Sequence, residues 1–165
     1  MHRFMPASCV LAATLLISAH VQAQQPAPPP AYGPPISLET AKKVMAAAEA
    51  EAVKNNWGMV ITILDSGGNL VMAHRMDNAP LASIGISRGK ARTAVDFKRP
   101  SKALEDGIAG GGAGLRLLSL HGAGVFVEGG VPIVVDGKIV GAIGASGAAS
   151  GQDAQVAQAG ANAAK

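Results

Sequence analysis

The stretch that decides the fold runs from Trp57 to Met76 and reads WGMVITILDSGGNLVMAHRM. Its first part, WGMVITILD, is rich in β-branched residues, which favour strands. The turn DSGGN follows, and its two glycines supply the positive φ angles that a tight hairpin requires. The segment NLVMAHRM then predicts the returning strand. We therefore expect an antiparallel β-hairpin at this place in the chain.

Helical patterns lie on both sides of this hairpin. Residues 37–56 begin at the capping residue Ser37 and repeat apolar side chains at helical spacing. Residues 79–99 predict a second helix that ends before Pro100, because proline disfavours helical geometry in the residue before it. Residues 101–110 predict a short third helix, and the glycine-rich segment after it predicts a loop.

The second half of the chain returns to a strand pattern. The segment HGAGVFVEGGVPIVVDGKIVGAIGASG, residues 121–147, predicts up to three strands, with Asp136–Gly137 as the middle turn. Residues 151–165 predict a C-terminal helix, so the expected order is α-β-β-α-α-β-β-β-α. Because hairpins dominate, the predicted fold class is α/β, of the α+β kind. We expect a single layered domain with a largely antiparallel five-stranded sheet flanked by helices.

The N-terminal residues have the composition of a secretory signal peptide. Arg3 gives a short basic start, residues 9–19 are apolar, and Val21 and Ala23 supply the small residues that a signal peptidase reads. We expect cleavage after Ala23, which makes residues 1–23 a signal peptide and the protein secreted or periplasmic. A retained anchor is the alternative, although the apolar run is shorter than the ~20 residues that span a bilayer.

The mature chain then begins with a spacer. The proline-rich residues 24–35 predict an extended linker, and the folded domain is expected over residues 36–165. Cleavage removes Arg3 and leaves 13 basic against 11 acidic side chains, a net charge of +2. This balance and the few aromatic residues argue against a nucleic-acid partner. No membrane span and no cysteine are expected in the mature chain, since Cys9 lies in the leader.

Common catalytic and phosphate-binding motifs are missing from the sequence. The glycine run GIAGGGAG, residues 107–114, is not followed by the Gly-Lys-Ser/Thr of a phosphate-binding loop. A Ser–His–Asp triad has no nucleophile elbow to support it. The sequence also contains neither a His-Glu-x-x-His motif nor paired cysteines.

The end of the second predicted strand gathers side chains that can ligate haem iron. Strand alternation places Met72, His74 and Met76 on one face and Arg75 on the other. Imidazole and thioether groups both serve as axial ligands of haem iron. A structural interpretation also stays open, in which the methionines belong to the core and Arg75 forms an ion pair with Asp77.

Three segments of the chain resemble the GlcG/HbpS-like family of small haem-binding proteins, which is related to the C-terminal domain of PduO-type corrinoid adenosyltransferases. They read VITILDSGGNLVMAHRMDNAP, SRGKARTAVDFKRPS and EGGVPIVVDGKIVGAIGASGAASGQDAQVAQAG. The resemblance covers Ser37 to Lys165. It implies a layered α/β domain, a tendency to form oligomers, and haem binding, with haem or redox sensing for secreted members. The chain departs from the family at Asn78, where glycine is usual, and at His121, where proline is more usual, so the resemblance does not identify the axial ligand.

The resemblance and the residue types together define a predicted haem site. His74 is the expected iron ligand and His121 the alternative, because these two histidines remain after cleavage. Met76 would add an apolar wall. The helix containing GKARTA is expected to expose Lys90 and Arg92 toward the haem propionates. The full predicted cofactor-binding set is His74, Arg75, Met76, Lys90, Arg92 and His121, with His74 as the metal ligand and no catalytic residue.

Two classes of function remain open at this point. The favoured one is a secreted or periplasmic protein that binds haem or a related tetrapyrrole, for haem or redox sensing or for haem handling. The alternative is a small enzyme in which His74 is the general base and Arg75 anchors a small carboxylate, although spacing fixes no second acid or base. An oligomeric scaffold without a ligand is a third, weaker reading.

A homo-oligomer is expected as well. Few aromatic side chains are available to fill the core, and the strand GAIGASG carries little bulk. Burial of one face against a symmetric partner would supplement that core. The sequence does not identify a sensor or transport partner.

Overall fold

The fold is given by a computed structural model that describes residue 1, residues 28–120 and residues 122–165. Apart from its first residue, the predicted signal peptide lies outside the described residues, and so do the beginning of the proline-rich linker and His121. These assignments stay predictions. No helix in the described part of the chain is long and apolar enough to cross a membrane.

Helices and strands follow one another in nearly the predicted order. They are α1 (Leu38–Lys54), β1 (Val60–Asp65), β2 (Leu70–Arg75), α2 (Ser83–Asp96), α3 (Lys102–Ala109), a 3₁₀-helix (Gly112–Leu120), β3 (Gly130–Val135), β4 (Lys138–Ser146) and α4 (Ser150–Asn162). The start of α1 is as predicted, because the Ser37 side chain accepts a hydrogen bond from the Thr40 backbone N–H. The 3₁₀-helix occupies most of the glycine-rich segment for which the sequence predicted a loop.

The strands form one antiparallel sheet in the order β2-β1-β4-β3. The predicted hairpin is confirmed, with Val60 opposite Arg75 and Ile61 opposite His74. The turn between β3 and β4 is also as predicted: Asp136 and Gly137 have φ angles of 49° and 71°, as a two-residue type I′ turn requires. Both edges of the sheet are therefore hairpin strands, β2 on one side and β3 on the other.

The prediction of a fifth strand in the segment before β3 is wrong, since the described part of the sheet has four. In residues 122–128 the backbone groups find side-chain partners instead of a neighbouring strand. The N–H of Val125 donates to Oγ1 of Thr93 at 2.8 Å, and the carbonyl of Val127 accepts from Oγ of Ser101 at 2.7 Å. Because side chains of the flanking helices satisfy these groups, the segment does not need a β-ladder.

The sheet lies between two helical layers. Ile61 and Ile63 share a core cluster with side chains of α1 and α4. The alternate residues Thr62 and Leu64 face α2, where Thr62 bonds to Ser87 at 2.9 Å between their hydroxyl oxygens. The period-two alternation of β1 therefore sets two separate surfaces of the molecule, one under α1 and α4 and the other under α2.

At Gly144, helix α2 packs on β4 without a side chain between the two backbones. A Cβ atom on Gly144 would lie 2.0 Å from the carbonyl oxygen of Ser87, so a larger residue would force the helix away from the sheet. The sequence predicted that small residues in GAIGASG admit another backbone or a flat ligand. At Gly144 the structure places the backbone of α2 there.

The last part of the proline-rich segment is tied to the sheet. The Ile139 N–H donates to the carbonyl of Ala31 at 2.9 Å, and the Gly33 N–H donates to the carbonyl of Ile139 at 2.8 Å. The Lys98 ammonium lies 4.2 Å from the centre of the Tyr32 ring, a cation–π contact. Residues 31–33 are therefore part of the folded domain.

The prediction that α2 exposes Lys90 is wrong. Lys90 lies on the inner face of the helix with Ser87, Ala91 and Ala94. Its Nζ contacts Oδ2 of Asp153 on α4 at 2.7 Å, and the side chains are 2% and 3% exposed. An unpaired charge cannot remain in such a place without a large desolvation penalty, so the burial of Lys90 depends on Asp153.

We expect Lys90→Met to lower the free energy of unfolding by about 3–5 kcal/mol, because it leaves the Asp153 carboxylate buried without a counter-charge. The double variant Lys90→Met/Asp153→Asn should lose less than the sum of the two single losses. Lys43→Met, which breaks an exposed ion pair with Glu39, is the control and should change stability far less. Urea unfolding of the wild type, the two single variants, the double variant and Lys43→Met measures these losses. Strictly additive losses would contradict the proposed coupling.

Candidate functional site

His74 lies on the edge strand β2 and faces the layer formed by α1. Its Nδ1 is 2.7 Å from Oε1 of Glu49, and the imidazole is 46% exposed. A carboxylate can only accept a hydrogen bond, so the Nδ1 atom carries the hydrogen and donates it. In the neutral imidazole this leaves the lone pair on Nε2. Histidines that ligate metals commonly donate their other ring N–H to a carboxylate in this way, which fixes the ring and makes the ligating nitrogen more basic.

Apolar side chains flank this imidazole. Met72 and Met76 are half-buried and pack against the core cluster below α1 and α4. Met76 also lines a cleft of about 470 Å³ beyond the end of β2, together with Val53, Trp57 and Pro80. We call this the β2 cleft. Val53 is 63% exposed, so an apolar surface open to solvent lies on the same side of the sheet as His74.

Arg75 follows His74 and faces the other side of the sheet, where it is exposed. Since β2 is an edge strand, a long side chain at this position lies beside the open edge. Among the ion pairs of the described residues, none joins Arg75 to Asp77. The structural interpretation of these two residues as a tie between hairpin and helix is therefore not supported.

Arg92 lies on the opposite face of the sheet from His74. It projects from α2, is 52% exposed, and its Nε donates to Oδ2 of Asp96. It lines a larger cleft of about 710 Å³ together with Arg88, Gly85 and Gly122. We call this the α2 cleft.

The predicted site residues thus fall into separate groups. His74, Arg75 and Met76 end one strand together, while Arg92 belongs to the α2 cleft and Lys90 is buried in its ion pair. His121 lies outside the described residues, although the next residue in the sequence lines the α2 cleft.

Sequence reasoning missed Glu49, the partner of His74. It comes from α1, 25 residues earlier in the chain. A weak signal was present, because Glu49 follows the buried Met45 by four residues and so lies at the edge of the apolar stripe of α1. Contact with a particular strand residue could not be read from that position.

Tyr32 offers a third kind of metal-ligating group but is engaged elsewhere. Its hydroxyl donates to the carbonyl of Val95 at 2.8 Å. Partial burial and the nearby Asp96 carboxylate raise the pKa of Tyr32 above its ordinary value, against the opposing charge of Arg92. A raised pKa disfavours the phenolate, which is the form of tyrosine that ligates iron.

The protein offers one ligating side chain at His74. This suits a metal ion whose other coordination positions are already filled by a bound molecule. Within residues 28–120 and 122–165, no group of three or more histidine, cysteine, aspartate or glutamate side chains could hold a metal ion. One oriented imidazole cannot complete the four ligands of a structural zinc site. It can supply an axial ligand to iron that a macrocycle already holds in four positions.

Known proteins with a similar sequence or fold form a consistent group. The family model described as haem degrading protein HbpS-like matches residues 36–162. Protein GlcG of Escherichia coli K12 is 44% identical over 112 residues, which cover 67% of this chain and 81% of GlcG.

Two solved structures extend the comparison. A complex of PduOC with haem has a TM-score of 0.73 and 32% identity, and the match covers 78% of this chain and 94% of that one. A double mutant of HbpS from Streptomyces reticuli has a TM-score of 0.69 and 30% identity, over 95% of this chain and 97% of that one. Both the sequence and the layered sheet therefore agree with the resemblance carried by the three segments, and the chain belongs to the HbpS-like family.

Proposed function

We propose that this protein binds haem and that His74 is the protein ligand of the iron. The observation that carries the proposal is the 2.7 Å contact between Nδ1 of His74 and Glu49, which leaves Nε2 available to a metal. Membership of the HbpS-like family and the similarity to PduOC, which was solved with haem, support the choice of ligand.

Each neighbouring residue has a chemical role in this proposal. Glu49 fixes the tautomer and orientation of the imidazole, and Met72 and Met76 offer polarisable, apolar contacts beside it. Arg75 is the adjacent exposed cation, so its guanidinium is the candidate partner of a propionate at the open edge of the sheet. Haem would supply the redox and oxygen chemistry of its iron. The residues of the chain would bind, orient and shield the haem.

Lys90 and Arg92 are not part of the proposed site. The ammonium of Lys90 forms an ion pair with Asp153 inside the protein. Arg92 projects from the layer on the other side of the sheet. His121 stays in the proposal as the alternative iron ligand that the sequence predicts.

The oriented histidine also favours a second candidate function. A carboxylate that holds Nδ1–H of a histidine prepares Nε2 to accept a proton, as in general-base catalysis. His74 would then be the base and Arg75 the anchor for a small carboxylate substrate. Saturable hemin binding at His74 without turnover of a small acid favours the first candidate over this one.

We expect the wild-type protein to give a sharp Soret band that saturates at one hemin per site. His74→Ala should shift the band and lower the affinity most, because it removes the iron ligand. Glu49→Gln should weaken binding by about 10- to 100-fold, the usual effect of losing a group that orients a metal ligand. Glu39→Gln, on the same helix but paired with Lys43, should leave the titration unchanged.

His121→Ala separates the two histidine ligands. If His74→Ala keeps the wild-type Soret position and affinity while His121→Ala loses both, the assignment to His74 is wrong. The segment before β3 would then hold the iron. If neither substitution changes the titration, His74 and Glu49 form a structural ion pair and the proposal fails.

We also propose that the protein is exported, as a secreted or periplasmic haem sensor or haem carrier. The support is the leader composition of residues 1–23 with its boundary at Ala23. N-terminal sequencing of exported material should begin at or near Gln24. Recovery of the uncleaved chain from the cytoplasm alone would contradict export.

A homo-oligomer is the third part of the proposal. Large apolar side chains are exposed just before α2 and on the 3₁₀-helix, with Leu81 72% exposed and Leu118 56% exposed. Packing against a second copy of the chain would remove these side chains from water. Light scattering at micromolar concentration should give at least twice the mass of one chain. A monomer mass would show that these side chains remain in water.

A further inference from the structure

The α2 cleft is a second cavity that the proposed haem site does not use. Its volume of about 710 Å³ falls within the range of roughly 300–1,000 Å³ that small-molecule sites occupy. The outer face of α2, the β1–β2 turn at Gly68 and the segment 122–125 form its walls. It lies across the sheet from His74, so the two surfaces do not share side chains.

Two arginines give the α2 cleft its charge. Arg88 and Arg92 are one helical turn apart and project from the same side of α2. Arg92 is held by Asp96, but in the described part of the chain Arg88 is not a member of an ion pair. The two guanidinium groups and one carboxylate leave a single positive charge in the cleft. Guanidinium binds carboxylates in a planar, two-point geometry.

The floor of the cleft contains a glycine that the fold itself does not require. Helix α2 contains Gly85 in its first turn and Gly89 in its interior, where glycine weakens a helix. A Cβ atom on Gly89 would lie 2.4 Å from Cγ2 of Val125, so packing accounts for that residue. A Cβ atom on Gly85 would meet no atom of the described residues within 4 Å. Gly85 leaves bare backbone open to the cleft, where a flat group can approach closely.

We propose that the α2 cleft binds a planar ring that carries a carboxylate. The ring lies on the backbone at Gly85, and Arg88 takes the carboxylate. Asp96 keeps the Arg92 guanidinium beside Gly68, where a second carboxylate on the ring would reach it. Val125 and Phe97 line the cleft and offer apolar contacts to the ring edge.

Isothermal titration calorimetry of the full-length protein with isophthalate, a benzene ring with two carboxylates, tests this proposal. Arg88→Ala should weaken binding at least 10-fold. Gly85→Leu should abolish it, because the new side chain fills the open floor without displacing a neighbour within 4 Å of its Cβ. Arg116→Ala removes an arginine of the 3₁₀-helix that does not line the cleft and should leave binding unchanged. Unfolding curves identify any variant that fails to fold.

One uncharged probe and one probe without a ring complete the experiment. Isophthalamide keeps the ring without its charge and should not bind, and inorganic phosphate should bind at least 10-fold more weakly than isophthalate. Equal binding of phosphate would show a general anion site and overturn the proposal. So would the absence of isophthalate binding at millimolar concentration, or full binding by Arg88→Ala.

The haem proposal can fail without affecting this one. His74→Ala should bind isophthalate as the wild type does, because His74 is on the other face of the sheet. Displacement of isophthalate by one equivalent of hemin would overturn the assignment of a separate ligand and place the haem on α2.

Discussion

The buried ion pair of Lys90 and Asp153 constrains the rest of the molecule. It joins α2, on one side of the sheet, to α4 on the other, and each charge can remain in the interior only while the other is present. The Asp153 carboxylate also accepts from the backbone N–H of Ala148 at 3.1 Å, so the pair fixes the start of α4. Because Lys90 must point inward, Arg88 and Arg92 are turned toward the α2 cleft. The direction of one lysine thus determines which side chains the outer face of α2 presents.

Features that depend on neighbouring residues could be predicted from the sequence. The hairpin of β1 and β2, the Ser37 cap and the Asp136–Gly137 turn are all set by contacts within a few residues. The burial of Lys90 could not be predicted, since its counter-charge lies 63 residues away. The prediction of a fifth strand was wrong for a related reason. Its alternating residues suit a strand, but Thr93 and Ser101 satisfy its backbone groups from distant helices.

The candidate site shows the same difference between local features, which could be predicted, and contacts between distant elements, which could not. His74 and Met76 were predicted to share a face because alternation along one strand is a local property, and the structure places both on the side of α1. The carboxylate that orients His74 comes from another element and left little trace in the sequence. Arg92 was grouped with His74 because α2 follows β2 closely. A chain that leaves the edge of a sheet can continue on either side of it, and α2 packs on the side opposite α1.

The direct contact at Gly144 has a mechanical consequence. Where side chains separate a helix from a strand, small rotamer changes can absorb a shift of either element. At Gly144 the backbone of α2 rests on the backbone of β4, and a close-packed interior transmits such a displacement. A movement of α2 would therefore carry β4 with it, and through the hydrogen-bonded ladder it would reach β1 and then β2. The two faces of the sheet bear different residues and different clefts, but a displacement of one face would reach the other through this contact.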